Sequence, residues 1–285
     1  MADRGAKAPT EGGSGAGHAA ESRNAPADAL LELVRGASGD SLVALLENPA
    51  FDKSETALLP ILLERKDLPE AILDRISKRT RWMTSAVARR KIAAHAHTSR
   101  RVATRLLREF HLVDLVQFSL QPGIPIEARR LADELIVARI GQLPLGQKKT
   151  LARRSSAQVA GALLADSSPA VVAAALDNSL LTEAQVLKTL SRRTLEAQTV
   201  GAIGRHTKWS RQTAVRAAVI THSHASADLV LGFLPALSRR ELEDLAAVAN
   251  VLPSARQYFQ HELARRLRHT PGRAAANAAS DTEPQ

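Results

Sequence analysis

Two histidine pairs are the residues whose type and spacing come closest to a metal site. His95 and His97 are separated by one residue, and so are His222 and His224. Imidazole is the commonest metal ligand in proteins, but two histidines leave a zinc ion two ligands short. The alternative is a turn-forming role, because histidine tolerates the left-handed backbone found where helices end. We expect the structural role, and we expect no metal and no other cofactor.

A cluster of arginines is the second candidate. Arg101, Arg105 and Arg108 recur at a spacing that places them on one side of a helix, opposite its apolar face. Arg89 and Arg90 come shortly before them. A row of guanidinium groups neutralises phosphates. These five arginines are therefore predicted to bind an anionic partner, and the alternative is an ordinary solvated face with scattered acidic partners.

Two tryptophans, Trp82 and Trp209, occupy matching places at the beginning of predicted helices. An exposed tryptophan beside basic residues could stack on a nucleic-acid base. A packing role at a helix junction explains the recurrence more simply, and we expect both side chains to be structural.

No catalytic constellation is found. The sequence lacks a glycine-rich phosphate loop and a nucleophile elbow, and His261-Glu262 lacks the second histidine of a zinc protease motif. Glu127, Asp133 and Glu134 fall on one predicted helix, but the last two diverge by about 100° around its axis and form a poor acid–base pair. Asp114 is expected at the surface. The sequence thus predicts a non-enzymatic protein.

The histidine pairs belong to an internal repeat. Residues 55–110 align with 182–237 without a gap, so matched residues lie 127 positions apart. The arginine row is not repeated, because its matched residues are Asp228, Gly232 and Pro235. A shorter unit is nested inside: a helix, an asparagine or histidine, three linking residues and the start of the next helix. That asparagine or histidine is Asn48, His95, Asn178 or His222.

Between about 28 and 269 the spacing of apolar residues predicts about sixteen short helices and no strands. In 99–110, for example, Val102, Ala103, Leu106, Leu107 and Phe110 share one face. Four pairs have the spacing of a capping box, in which the first residue caps a helix: Asp52 and Glu55, Ser155 and Gln158, Thr182 and Gln185, Ser238 and Glu241. Prolines that suit a first helical turn are Pro69, Pro125, Pro169 and Pro253. Short links make neighbouring helices antiparallel.

Composition sets the outer limits. The 285 residues carry a net charge of +10, which favours an anionic partner such as nucleic acid, an acidic protein or a membrane surface. The absence of cysteine excludes disulfides and thiolate chemistry. No signal peptide or membrane span is apparent, so we expect a cytoplasmic protein. Residues 1–27 and 270–285 are rich in small and polar residues and are predicted to be disordered tails.

The segment 168–176 and the segment 214–218 resemble the second helix of HEAT-like repeats, an armadillo-type fold. The links from asparagine to threonine resemble bacterial leucine-rich-repeat-variant proteins. This resemblance covers roughly 40–269 and implies a right-handed superhelical α-solenoid of antiparallel helical hairpins with a concave binding surface. Some leucine-rich-repeat-variant proteins carry an iron–sulfur cluster on cysteines, which this chain lacks.

The resemblance implies an interaction or scaffold protein that binds another protein, and this is the leading expectation. The alternative is a basic HEAT-like protein that binds nucleic acid through Arg89, Arg90, Arg101, Arg105 and Arg108. A HEAT-like minority are DNA glycosylases, but that chemistry needs an acid beside an aromatic residue in a basic cleft. The sequence offers a tryptophan and no convincing acid.

Overall fold

The structure is a computed structural model that describes residues 25–26, 29–247 and 253–268, with side chains from 256 onward in the last segment. These residues form 18 α-helices and four 3-10 turns, and they contain no strand. The all-α class predicted from the sequence is confirmed. Apart from residues 25 and 26, the predicted tails 1–27 and 270–285 lie outside the described residues.

The chain divides into two compact units, Met1–Ile136 and Val137–Gln285. The first contains eight helices and most of a ninth, which crosses the boundary. They are α1 (Leu30–Gly36), α2 (Asp40–Leu46), α3 (Pro49–Lys53), α4 (Glu55–Leu62), α5 (Glu70–Lys78), α6 (Ala86–Ala94), α7 (Arg100–Arg108), α8 (Leu112–Leu120) and α9 (Ile126–Arg139). A 3-10 turn, Trp82–Thr84, precedes α6.

The second unit continues with nine helices in the described residues. They are α10 (Leu145–Arg154), α11 (Ala157–Leu163), α12 (Pro169–Leu176), α13 (Glu183–Leu190), α14 (Ala197–Arg205), α15 (Thr213–Ile220), α16 (Ala227–Gly232), α17 (Arg239–Ala247) and α18 (Pro253–Arg268). Three more 3-10 turns lie at Ile140–Gln142, Trp209–Arg211 and Leu234–Ala236.

Alternate helices pack against each other in the second unit. Helix α13 contacts both α11 and α15, while α14 contacts both α12 and α16. The helices therefore form two rows, and each helix buries its apolar face between its neighbours. Closely spaced helices need small residues at their contacts, and the buried residues of α12 are accordingly valine, alanine and leucine.

Hydrophobic spacing identified the buried faces well. In α7, the side chains of Val102, Ala103, Leu106 and Leu107 are all buried, as expected. Both tryptophans are 2% exposed, which places them in the core. They begin 3-10 turns rather than α-helices.

The capping predictions were right only in part. Ser238 and Glu241 form a reciprocal capping box: the Glu241 amide donates to Ser238 Oγ at 3.2 Å, and the Ser238 amide donates to Glu241 Oε2 at 2.7 Å. Thr182 occupies the N-cap of α13 but makes no side-chain cap bond. Two predictions were wrong, because Asp52 lies inside α3 and because Ser156, not Ser155, caps α11.

The prolines begin helices with small differences in register. Pro169 and Pro253 are first residues of helices, as predicted. Pro69 is the N-cap of α5, and Pro125 directly precedes α9. The same preference also explains an extra helix near Asn48: this residue caps α3, which begins at Pro49. Such short helices raise the count above the sixteen expected.

In the described part of the chain, no helix is long and apolar enough to cross a bilayer.

Candidate functional site

The first histidine pair ties one loop to an earlier one through the backbone. The Nε2 atom of His95 lies 2.7 Å from the carbonyl oxygen of Arg65, and Nδ1 of His97 lies 2.9 Å from that of Leu68. The backbone amide of His97 donates to Nδ1 of His95 at 3.2 Å. A carbonyl only accepts, so His95 carries its proton on Nε2 and His97 carries one on Nδ1.

The second histidine pair makes the same set of bonds. His222 Nε2 lies 3.2 Å from the Arg192 carbonyl, and His224 Nδ1 lies 2.6 Å from the Leu195 carbonyl. The amide of His224 donates to His222 Nδ1 at 3.1 Å. Both ring nitrogens of His95 and His222 are therefore occupied by backbone partners. The described residues include no group of three or more potential metal ligands.

The backbone at the asparagine and histidine positions corrects the sequence prediction. Asn48 has φ −72° and His95 has φ −75°, both with extended ψ, so neither adopts the left-handed conformation that was expected. The residues are used for their hydrogen-bonding side chains instead. Asn178, which is buried, donates from Nδ2 to the carbonyls of Ala152 at 2.7 Å and Ser155 at 3.1 Å.

A cation covers each tryptophan. The Arg79 guanidinium lies 4.7 Å from the Trp82 ring centroid, and the Lys208 ammonium lies 4.1 Å from that of Trp209. The Trp209 indole also donates to the Leu176 carbonyl at 3.0 Å. With one face covered by a cation and the ring buried, neither tryptophan offers a surface on which a base could stack.

Arg89 and Arg90 lie on α6 and are paired with carboxylates. Arg89 lies 3.3 Å from Glu109, and Arg90 lies 3.3 Å from Asp114 on α8. Asp114 is a partly exposed member of this ion pair, as the sequence indicated. These two arginines therefore connect helices, and their charges are largely compensated.

The other three predicted arginines lie on α7. Together with Arg100 and Thr104, Arg101, Arg105 and Arg108 border a surface depression of about 590 Å³. We call Arg100, Arg101, Arg105 and Arg108 the α7 arginine surface. Arg105 is anchored, because its Nη2 donates to the carbonyl of Ser77 at 2.9 Å and to its hydroxyl at 2.7 Å.

Two carboxylates accompany the α7 arginine surface. Arg100 lies 3.3 Å from Glu134, and both side chains are more than half exposed. The hydrogen bond from Lys78 lowers the pKa of Asp74, and the positive charges of Arg101 and Arg105 lower it further. The structure thus divides the five predicted arginines into two groups: Arg89 and Arg90 in ion pairs on α6, and Arg101, Arg105 and Arg108 around one depression on α7.

The remaining acidic candidates do not form a catalytic pair. Asp133 is 4% exposed, whereas Glu134 on the same helix faces solvent and pairs with Arg100. The two carboxylates therefore point into different environments, and this agrees with the divergence expected from their sequence spacing.

Sequence reasoning missed a depression of about 480 Å³ in the second unit, between the C-terminal ends of α13 and α15. Its lining is Leu187, Leu190, Ser191, Arg193, Ala218, Thr221, His222 and Ser223. The signal was present in the repeat. Ser191 and Ala218 stand where the first copy has Glu64 and Lys91, so two long side chains are replaced by short ones. We call this the α13–α15 depression.

Comparison with known proteins gives no match: no family model matches the chain, and no match is found among curated proteins or solved structures.

Proposed function

We propose that this chain is a non-enzymatic helical-repeat protein that binds an acidic segment of another protein through the α7 arginine surface. The proposed architecture is a right-handed α-solenoid with an internal repeat offset by 127 residues. The observation that carries the proposal is the set of arginines around the depression on α7.

Matched contacts support the repeat. The bond from the histidine ring to a carbonyl 30 residues earlier occurs at His95 and again at His222. The ring pairs have the same geometry, with centroids 5.6 Å apart and planes inclined by 62° in each. The two rows of alternately packed helices in the second unit are also what a solenoid requires.

A binding role for the arginines is supported by their absence from the second copy. Asp228 and Gly232 replace Arg101 and Arg105 there, yet the corresponding helix α16 still forms. These cations are therefore not needed for a helix to begin at this place in the repeat, although α16 is three residues shorter than α7. Because gathering like charges on one surface costs energy, an arginine cluster that occurs in only one copy of the repeat favours binding of an anionic ligand.

The size of the α7 arginine surface fits a short peptide. From Arg100 to Arg108 the helix rises about 12 Å, which is the length of about four residues of an extended chain. Guanidinium groups bind carboxylates through paired hydrogen bonds. An acidic motif of this length would therefore contact several arginines at once.

Nucleic acid is the second candidate, because the same guanidinium groups suit phosphate. A duplex needs a longer basic track, since its affinity grows with the number of phosphates neutralised. Arg89 and Arg90 do not extend the track, because they are paired with Glu109 and Asp114. These features favour the acidic peptide.

Charge reversal tests the proposal. A fluorescein-labelled peptide of ten glutamates is titrated with the wild-type protein and with Arg101→Glu/Arg108→Glu, which leaves the anchored Arg105 in place. The matched control is Arg153→Glu/Arg154→Glu, the same change of charge at two exposed arginines of α10. We expect at least tenfold weaker binding for the α7 variant and less than threefold for the control. Equal effects from the two variants would refute the site.

A further inference from the structure

A second surface depression lies in the other unit. We infer that the α13–α15 depression binds a peptide segment in which a leucine-sized apolar side chain lies next to a carboxylate. This site goes beyond the proposed function, because it involves neither α7 nor its arginines.

The repeat indicates why the depression is open. At the matched place in the first copy, the Lys91 ammonium reaches from α6 to the carbonyl of Pro60 at 3.0 Å and to the Glu64 carboxylate at 2.8 Å. This ion pair spans the groove between α4 and α6. In the second copy the corresponding residues are Ala218 and Ser191, which are too short to span it.

The floor of the depression is apolar. Leu187, Leu190 and Ala218 supply methyl and methylene groups, and Leu190 is only 4% exposed. A volume of about 480 Å³ is within the range of about 300–1,000 Å³ that ligand sites usually have. Placing a leucine-sized side chain on such a floor removes apolar surface from water, which favours binding.

The rim supplies hydrogen-bond donors for an anion. In the described part of the chain, the Arg193 guanidinium forms no ion pair and the Ser223 hydroxyl has no hydrogen-bond partner. The other hydroxyls already donate to the backbone: Ser191 to the Lys188 carbonyl at 2.8 Å and Thr221 to the Ala217 carbonyl at 2.9 Å. Among the residues that the structure describes, no carboxylate lines the depression. A carboxylate of the ligand would therefore be the partner that Arg193 and Ser223 lack.

One wall is held in position by the repeat contacts. The His222 ring cannot turn freely, because Nε2 is bonded to the Arg192 carbonyl and Nδ1 accepts from the His224 amide. His222 is 7% exposed and lines the depression beside Ser223. A rigid wall lowers the entropy that binding costs.

The key experiment restores the ion pair of the first copy. Ser191→Glu/Ala218→Lys places the side chains of Glu64 and Lys91 into the second copy without changing the net charge. The probe is a fluorescein-labelled eight-residue peptide of alternating glutamate and leucine, followed by anisotropy. We expect micromolar binding to the wild type and at least tenfold weaker binding to this variant. Arg193→Glu, an exposed substitution that leaves the core unchanged, is expected to weaken binding at least tenfold as well.

Three controls locate the peptide. Glu64→Ser/Lys91→Ala removes the same ion pair in the other unit and should bind the peptide at least as tightly as the wild type does. Arg101→Glu/Arg108→Glu should also retain binding, since the α7 arginine surface is a separate site. A peptide with alanine in place of leucine should bind at least fivefold more weakly, because the apolar floor is then unused.

The possible results distinguish binding at the α13–α15 depression from binding at the α7 arginine surface. No binding to the wild type overturns the inference, and so does binding to Ser191→Glu/Ala218→Lys within twofold of the wild type. Loss of binding in the α7 variant would place the peptide on the α7 arginine surface and overturn this site while supporting the other. If Ser191→Glu/Ala218→Lys has a markedly lower thermal midpoint than the wild type, the test rests on Arg193→Glu instead. Unchanged affinity of Arg193→Glu for the peptide then overturns the site.

Discussion

Glu241 joins two helices of the second unit, and its removal should change the pH dependence of stability. Its Oε2 accepts from the Ser238 amide at 2.7 Å, and its Oε1 accepts from Arg216 Nη2 on α15 at 2.9 Å. The hydrogen bonds from Ser238 and then from Arg216 lower the pKa of Glu241 to about 2. Glu241→Gln keeps the shape of the side chain and removes its charge.

The expected loss of stability in Glu241→Gln follows from the shift of the Glu241 pKa from 4.5 to about 2. One pKa unit corresponds to about 1.4 kcal/mol. Because the Glu241 side chain is partly exposed, solvent screening reduces its contribution to the free energy of unfolding to about 1–2 kcal/mol. The pKa is lower in the folded protein than in the unfolded chain. The stabilisation is therefore fully present above about pH 4.5 and is lost as the pH falls towards about 2.

The assay is urea unfolding followed by circular dichroism between pH 7 and pH 2.5. The free energy of unfolding of the wild type should exceed that of Glu241→Gln by about 1–2 kcal/mol at pH 7. This difference should shrink below pH 4.5. Glu243→Gln is the control, since it removes only an exposed pair with Arg239 on the same helix; its cost should be about 0.5 kcal/mol or less. Equal costs for the two variants, or a difference independent of pH, would refute the reasoning.

Three further predictions concern the repeat contacts. Nitrogen-15 NMR should find the Nε2–H tautomer at His95 and His222, because both Nε2 atoms face carbonyls; the opposite tautomer would contradict the hydrogen-bond assignment. Trp209→Phe should lower the free energy of unfolding, measured with urea, by about 1–3 kcal/mol, because it leaves the buried carbonyl of Leu176 without its hydrogen-bond donor. Asn178→Ala should lower the free energy of unfolding by about 2–4 kcal/mol, since it removes two buried hydrogen bonds and one part-buried hydrogen bond; a decrease below about 1 kcal/mol would mean that water replaces them.

Local patterns predicted the helices because the forces that form them are local. The apolar face of α7 could be identified from Val102 to Leu107, since each helical turn brings the next apolar residue to the same side. The capping box of Ser238 and Glu241 was predictable for the same reason. The Asp52 prediction failed because Asn48 and Pro49 provide a stronger start signal, which places the N-cap four residues earlier.

Contacts between distant segments account for what the sequence could not predict. Histidine at position 95 was assigned to a left-handed turn, but its role depends on a carbonyl 30 residues earlier. The same is true of Arg89 and Arg90, whose partners Glu109 and Asp114 lie 20 and 24 residues away. The sequence indicated which residues are basic, while only the packing of the helices showed that Arg89 and Arg90 are paired with carboxylates.

The α13–α15 depression was missed for a different reason. Small residues such as Ser191 and Ala218 carry no chemical signal by themselves, so a motif search passes over them. Their significance appears only when the two copies are compared and the ion pair of Lys91 and Glu64 is found in one of them alone. Within a repeat, the positions that differ are therefore more informative about binding than those that agree.

The most direct test of the central claim compares two anions at two salt concentrations. Labelled ten-glutamate peptide and a labelled random duplex are each titrated with the wild-type protein at about 50 and 200 mM salt, and the peptide is then titrated with Arg101→Glu/Arg108→Glu. If the partner is an acidic protein segment, the peptide should bind more tightly than the duplex. The affinity for the peptide should fall at least tenfold in the variant. Duplex binding tenfold tighter than peptide binding, with affinity falling steeply between the two salts, would contradict the proposal and identify nucleic acid as the ligand.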